Sequence, residues 1–137
     1  MKNYETFATT ADIGIRVCGR DFAGLYRNAV AGLNALLFGT SAQPPTASGS
    51  RRFRFQGDGS ENVLVNLLAE VLSLAYQKNR RVVAMEISSA DRGSLDANFL
   101  LAAIAAAPAV DIKAVTYHQL RVIEKDGLKK ASVLFDI

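Results

Sequence analysis

The chain is predicted to be an α+β protein, a mostly antiparallel sheet with two amphipathic helices packed on it, in one domain over residues 1–137. Three observations carry this. Runs with strand periodicity outnumber runs with helical periodicity and do not alternate regularly with them, which disfavours a doubly wound α/β fold. Two segments carry apolar residues at helical spacing in stripes wide enough to lie on a sheet. Near the C-terminus, Asp126-Gly127 separates two apolar-periodic runs, a strong hairpin signal. A length of 137 residues suits one hydrophobic core.

In chain order, Ile13, Ile15 and Val17 alternate with Gly14, Arg16 and Cys18, the signature of a strand with one buried face, and Asp12 opens it. Asp21 is placed to cap a helix in which Phe22, Leu25, Ala29, Leu33 and Leu36 recur until Gly39 offers a stop. Thr40 to Ser50, with Pro44-Pro45, has no period and reads as a loop. Phe53 and Phe55 alternate with Arg52, Arg54 and Gln56 in a short strand that runs to the turn Gly57-Asp58-Gly59.

The second helix follows, with Ser60 as its expected N-cap and Val63, Leu64, Leu67, Leu68, Val71, Leu72 and Ala75 as its apolar stripe. Arg81 to Ser88 reads as a strand of mixed pattern. From Ser94 the chain alternates through Leu95, Ala97, Phe99 and Leu101, but its alanines toward Ala106 favour helix, so only the first half is assigned as strand. Val115–Glu124 and Leu128–Ile137 are expected to pair as a hairpin about Lys125-Asp126-Gly127.

Composition excludes several function classes. Half the residues are hydrophobic and 21% are charged, which argues against intrinsic disorder. A formal charge of +3 is too small an excess to point to nucleic acid by itself. Cys18 is the only cysteine and His118 the only histidine, so neither an internal disulfide nor a zinc site of His and Cys ligands can be assembled. No Ser or Cys motif of nucleophile type stands with a base, so no catalytic triad is predicted and the chain reads as a non-enzyme. Met1 to Thr6 lacks the apolar segment of a signal peptide. The longest low-polarity run, Phe99 to Val110, falls short of the roughly 20 residues that span a membrane, so a cytoplasmic location is expected.

The residues that point to chemistry are carboxylates. Asp136 stands beside Ile137, whose terminal carboxylate adds a second hard anion, and Asp12 is the best candidate to complete an oxygen site. Such a donor set suits Ca²⁺, Mg²⁺ or Mn²⁺ better than zinc. The arrangement requires the first predicted strand to lie beside the last. For Asp12 alone the simpler reading is a turn-capping aspartate. For Asp136 it is a solvated acid on a fraying strand.

Thr10-Ala11-Asp12-Ile13-Gly14, Lys113-Ala114-Val115-Thr116-Tyr117-His118 and the final Phe135-Asp136-Ile137, taken in their order and spacing, resemble the archease family over nearly the whole length. The resemblance implies a small α+β accessory protein that activates the guanylyl-transferring tRNA-splicing RNA ligase, promoting its guanylylation and multiple turnover. It also implies a divalent cation, Ca²⁺ first, with Mg²⁺ or Mn²⁺ as alternatives, held by Asp12, Asp136 and Ile137. The chain departs from the family pattern at Thr9, where the family usually has His, and at Ala8, where it often has an acid. It also has no Trp, and Gln77 and Lys78 stand where the family commonly carries an acidic residue near the end of the second helix. Fewer anions imply weaker cation binding.

Two rival readings stay open: a metal-independent chaperone or adaptor for another RNA-processing protein, and a metal-dependent enzyme acting on a phosphate ester. Arg51, Arg52, Arg54, Arg80 and Arg81 could contact RNA phosphates. With no aromatic residues interleaved to stack bases, they read more simply as a solvated face or a contact for an acidic partner surface.

Overall fold

The computed structural model describes residues 2–40 and 43–137. Its elements run β1 (Tyr4–Ala8), β2 (Ile13–Gly19), α1 (Phe22–Phe38), β3 (Gly49–Gln56), α2 (Ser60–Gln77), β4 (Arg80–Asp91), β5 (Ser94–Ala103), β6 (Ala114–Val115), β7 (Ile123–Lys125) and β8 (Leu128–Asp136). The α+β class holds, and every strand pairing among the described residues is antiparallel. The strands divide between two sheets. One has the order β1-β2-β8-β6, with β7 also on β8, and the other has the order β3-β5-β4.

The helices join the two sheets. α1 packs on β1, β2 and β8 of the first and on β4 of the second, while α2 packs on α1, on β3, β4 and β5, and on β6. Strand alternation supplies the inner faces. Ile15, Val17, Ala131, Val133 and Phe135 come from β2 and β8, and Phe55, Leu95, Ala97, Phe99 and Leu101 from β3 and β5, all within one buried cluster. Phe99 is fully buried, with its ring 4.7 Å from that of Phe53 and 6.1 Å from that of Phe55.

Local chemistry explains most boundaries. Asp21 has extended backbone angles and its carboxylate accepts from the Gly24 amide at 2.7 Å, the expected N-cap of α1. Gly39, at φ 77°, ends that helix with its amide donating to the Ala35 carbonyl. The start of α2 corrects the sequence reading. Gly59 occupies the cap without a side-chain bond, and Ser60 is already helical and buried.

β1 was not expected, because its half-buried Tyr4 and Phe7 are three apart rather than alternating. β4 runs on to Asp91, and its mixed pattern has a cause: register shifts between Val82 and Ala84 and between Ile87 and Ser89 reset which parity faces inward. β5 continues to Ala103 despite its alanines, because β3 and β4 bond it on both edges. Part of the predicted loop over 40–50 lies outside the described residues, at Ser41 and Ala42. Strand has begun by Gly49.

The largest correction concerns Val115–Glu124. Only its ends are strand, since Val115 pairs with Phe135 and Ile123 with Lys130. Between these pairs the first segment holds three more residues than β8 does, so the surplus cannot lie in the ladder. It leaves the edge as an excursion, folded at a turn in which the Leu120 amide donates to the Tyr117 carbonyl and Gln119 takes φ 56°. The hairpin beyond it forms as expected, with Asp126 at φ 56° and Gly127 at φ 74°.

Candidate functional site

The strand neighbourhood that the candidate carboxylates require is present. β2 and β8 are neighbours in register from Gly19↔Lys129 to Ile13↔Phe135. One step beyond that last pair come Asp12 and Asp136, at the same end of the ladder. Asp136 is paired with Ala114 of β6, and its carbonyl accepts from the Lys113 amide at 2.8 Å. The last strand is therefore held from two sides up to Phe135 and by β6 at Asp136, while Ile137, 53% exposed, extends past it.

Asp12 is fixed by the β1–β2 turn. The Thr9 hydroxyl accepts from the amides of Ala11 at 3.3 Å and Asp12 at 3.0 Å, and the Thr9 amide donates to the Asp12 carbonyl at 2.8 Å. Thr9 is thus employed in closing the hairpin. The backbone of Asp12 serves the turn while its carboxylate is left over: among the described residues, neither it nor the Asp136 carboxylate has an ion pair or a hydrogen bond. Oxygen donors of this kind suit a hard divalent ion. Among the described residues, no three His, Cys, Asp or Glu side chains cluster as a metal site, so any cation here would depend on the two aspartates and main-chain oxygen.

Asp12 also lines a cavity of about 240 Å³ on the outer face of the first sheet, with Phe7, Thr9, Arg16, His118, Gln119, Ser132 and Leu134. His118 and Gln119 arrive there on the excursion between β6 and β7. Arg16 lies across the Phe7 ring, its guanidinium carbon 4.3 Å from the centroid. Sequence reasoning missed this face. The only available signal was parity, since 12, 14 and 16 on one strand share a side with 132, 134 and 136 on the other.

The arginines first grouped together do not form one cationic surface. Arg52 and Arg54 both pair with Asp96, at 2.8 and 3.3 Å, on the outer face of the second sheet. Arg51 lies over Phe53 and Arg81 over Phe38. Among the described residues, no helix is long and apolar enough to cross a membrane.

Comparison with known proteins adds an independent finding. The model of the Archease protein family matches residues 4–137. A curated relative named Protein archease, from Methanothermobacter thermautotrophicus, is 25% identical over 145 residues, covering all of both chains. A solution structure of Methanobacterium thermoautotrophicum protein 1598 superposes at a TM-score of 0.76 with 26% identity, again covering both chains entirely. A crystal structure of an archease from Thermotoga maritima, titled a possible chaperone, aligns at a TM-score of 0.69 and 20% identity over 97% of this chain and 96% of that one. This last likeness speaks to the fold alone.

Proposed function

The chain belongs to the archease family, and from that premise we propose that it is a non-enzymatic accessory protein that activates a guanylyl-transferring tRNA-splicing RNA ligase. Its role is to promote guanylylation of the ligase and its multiple turnover, working through a divalent cation, Ca²⁺ first and Mg²⁺ or Mn²⁺ as alternatives. The ligands are the carboxylates of Asp12 and Asp136 and an oxygen of Ile137. The observation that carries this reading is the β2–β8 register, which runs to Ile13↔Phe135 and so leaves Asp12 and Asp136, whose carboxylates have no ion pair or hydrogen bond among the described residues, at the same end of one ladder.

A cation held there supplies positive charge to neutralise phosphate oxygens. The chain's own contribution is rigidity. Thr9 fixes the turn that bears Asp12, and Ala114 and Lys113 hold the backbone of Asp136. With Ala8 and Thr9 in place of an acid and a histidine, the site has few anionic ligands, and weak, exchangeable cation binding is its natural regime.

The test is ligase guanylylation and RNA sealing under multiple turnover, with a sub-stoichiometric amount of this protein at fixed GTP and Mn²⁺ or Mg²⁺. Acceleration by the wild type and its loss in Asp136→Ala are expected, with the variant's melting temperature close to the parent's. Undiminished stimulation by Asp136→Ala would remove the cation from the mechanism. That outcome would favour the second reading, a metal-independent chaperone or adaptor, which the engagement of Thr9 in turn closure supports.

A further inference from the structure

A larger cavity of about 600 Å³ opens on the same outer face of the first sheet, between the β1–β2 surface and the excursion that leaves β6. Its walls carry Lys2, Arg16, Arg121 and Lys130 against a single carboxylate, Glu5. The surplus of three positive charges in this one concavity equals the formal net charge of the entire chain. Four strands, the excursion and the N-terminal segment converge on it. Arg16 comes from β2 opposite Glu5 of β1, Lys130 from β8 opposite Cys18 of β2, and Arg121 from the excursion two residues before Ile123 pairs with Lys130.

The charges are uncommitted. Among the described residues, the side chains of Lys2, Arg121 and Lys130 make no ion pair or hydrogen bond, and Arg16 is engaged only by the Phe7 ring. The second sheet handles its charge differently, closing Arg52 and Arg54 onto Asp96. Cations gathered in a concavity with too few anions raise the local positive potential and attract anionic ligands. The volume lies within the range of small-molecule sites.

We propose that this cavity binds the triphosphate group of a small ligand, a nucleoside triphosphate or an inorganic polyphosphate. Arg16, Arg121 and Lys130 are its principal phosphate contacts, through charge-assisted hydrogen bonds. A small polyanion fits better than a nucleic-acid strand. Single-stranded RNA is gripped by aromatic platforms, and the exposed aromatic residues Tyr76 and Tyr117 are not among the cavity's walls. The adjoining cavity that Asp12 enters shares Arg16, Gln119 and Ser132 with this one, but phosphate binding here needs neither the aspartates nor a metal.

The experiment is titration calorimetry of the isolated protein in EDTA, at about 50 mM salt where surface charges are least screened. The probes are tripolyphosphate, ATP, GTP, guanosine and a short single-stranded RNA. Tripolyphosphate and the nucleotides are expected to bind and guanosine not to. Equal affinity for tripolyphosphate and nucleotides would identify an inorganic polyphosphate site, whereas tighter nucleotide binding would identify a nucleotide site. The double variant Arg16→Gln/Lys130→Gln should weaken binding by about tenfold or more. Arg121→Gln, on the exposed excursion, should weaken it with no effect on folding. Lys78→Gln/Arg80→Gln removes the same charge elsewhere and should leave it unchanged. Absence of triphosphate binding, equal loss in the Lys78/Arg80 control, or tighter binding of RNA than of tripolyphosphate would each overturn the proposal. Because no ligase and no cation is present, failure here leaves the reading of Asp12 and Asp136 untouched, and the reverse also holds.

Discussion

At the scale of single residues, polar groups are used where burial demands it. Tyr26 is fully buried on α1, and its hydroxyl donates to the Asp91 carbonyl at 2.7 Å, tying the helix to the end of β4. Burial pushes its phenol well above the ordinary tyrosine value, and Asp91 and Glu61 push in the same direction. A folded-state pKa raised above the unfolded one means that the neutral phenol's contribution is complete below about pH 10 and is lost as pH climbs past it. Tyr26→Phe is expected to cost about 1 kcal/mol at neutral pH through the unpaired carbonyl. It should also flatten the decline of stability above pH 10 seen in urea titrations of the parent. A variant whose alkaline decline matched the parent's would assign that decline to other groups. Asp91 works oppositely at the β4–β5 turn, where the Gly93 amide and the Ser94 hydroxyl donate to its carboxylate and hold its pKa low. That contribution is present above the unfolded carboxylate pKa and fades as pH falls through the folded one.

At the scale of elements, two glycines separate conformational from steric constraint. Gly127 sits at φ 74° with open space where a Cβ would go. Gly127→Ala is therefore expected to cost about 1–2 kcal/mol by backbone strain alone. A Cβ on Gly19 would stand 2.3 Å from the Leu25 amide nitrogen and 2.6 Å from the Gly24 carbonyl carbon, where β2 meets the first turn of α1. Gly19→Ala must move backbone, so its loss of stability should exceed that of Gly127→Ala. Denaturation midpoints of the two variants provide the comparison, and the reverse order would contradict the close β2–α1 approach. The same distinction governed what could be read in advance. The Asp21 cap, the Gly39 stop and the Asp126-Gly127 turn are local chemistry and were legible. The start of α2 at Gly59 and the bulges in β4 arise from contacts with other elements and were not.

At the scale of the whole molecule, the excursion between β6 and β7 couples the sheet bearing the candidate sites to α2. The Val122 amide donates to the Glu61 carboxylate at 2.9 Å, and the Asn62 side-chain amide donates to the Tyr117 hydroxyl at 3.0 Å. Glu61→Ala is expected to speed amide hydrogen exchange at Val122 and its neighbours, while the amides of β5, bonded on both edges, keep their protection. Unchanged exchange at Val122 would mean that the ladder ends alone hold the excursion.

By itself the sequence determined the α+β class, both helices and the C-terminal hairpin, and it singled out Asp12, Asp136 and Ile137 as candidates. Periodicity, capping and turn chemistry act within a few residues and leave their mark in the chain. Only the tertiary structure decided that the strands divide into two sheets and that β2 lies beside β8, which puts Asp12 and Asp136 at the same end of one ladder. It alone gathered Arg16, Arg121 and Lys130 around one cavity. Strand partners and register depend on contacts between residues more than a hundred positions apart, and no local pattern in the chain encodes which strand will be the neighbour.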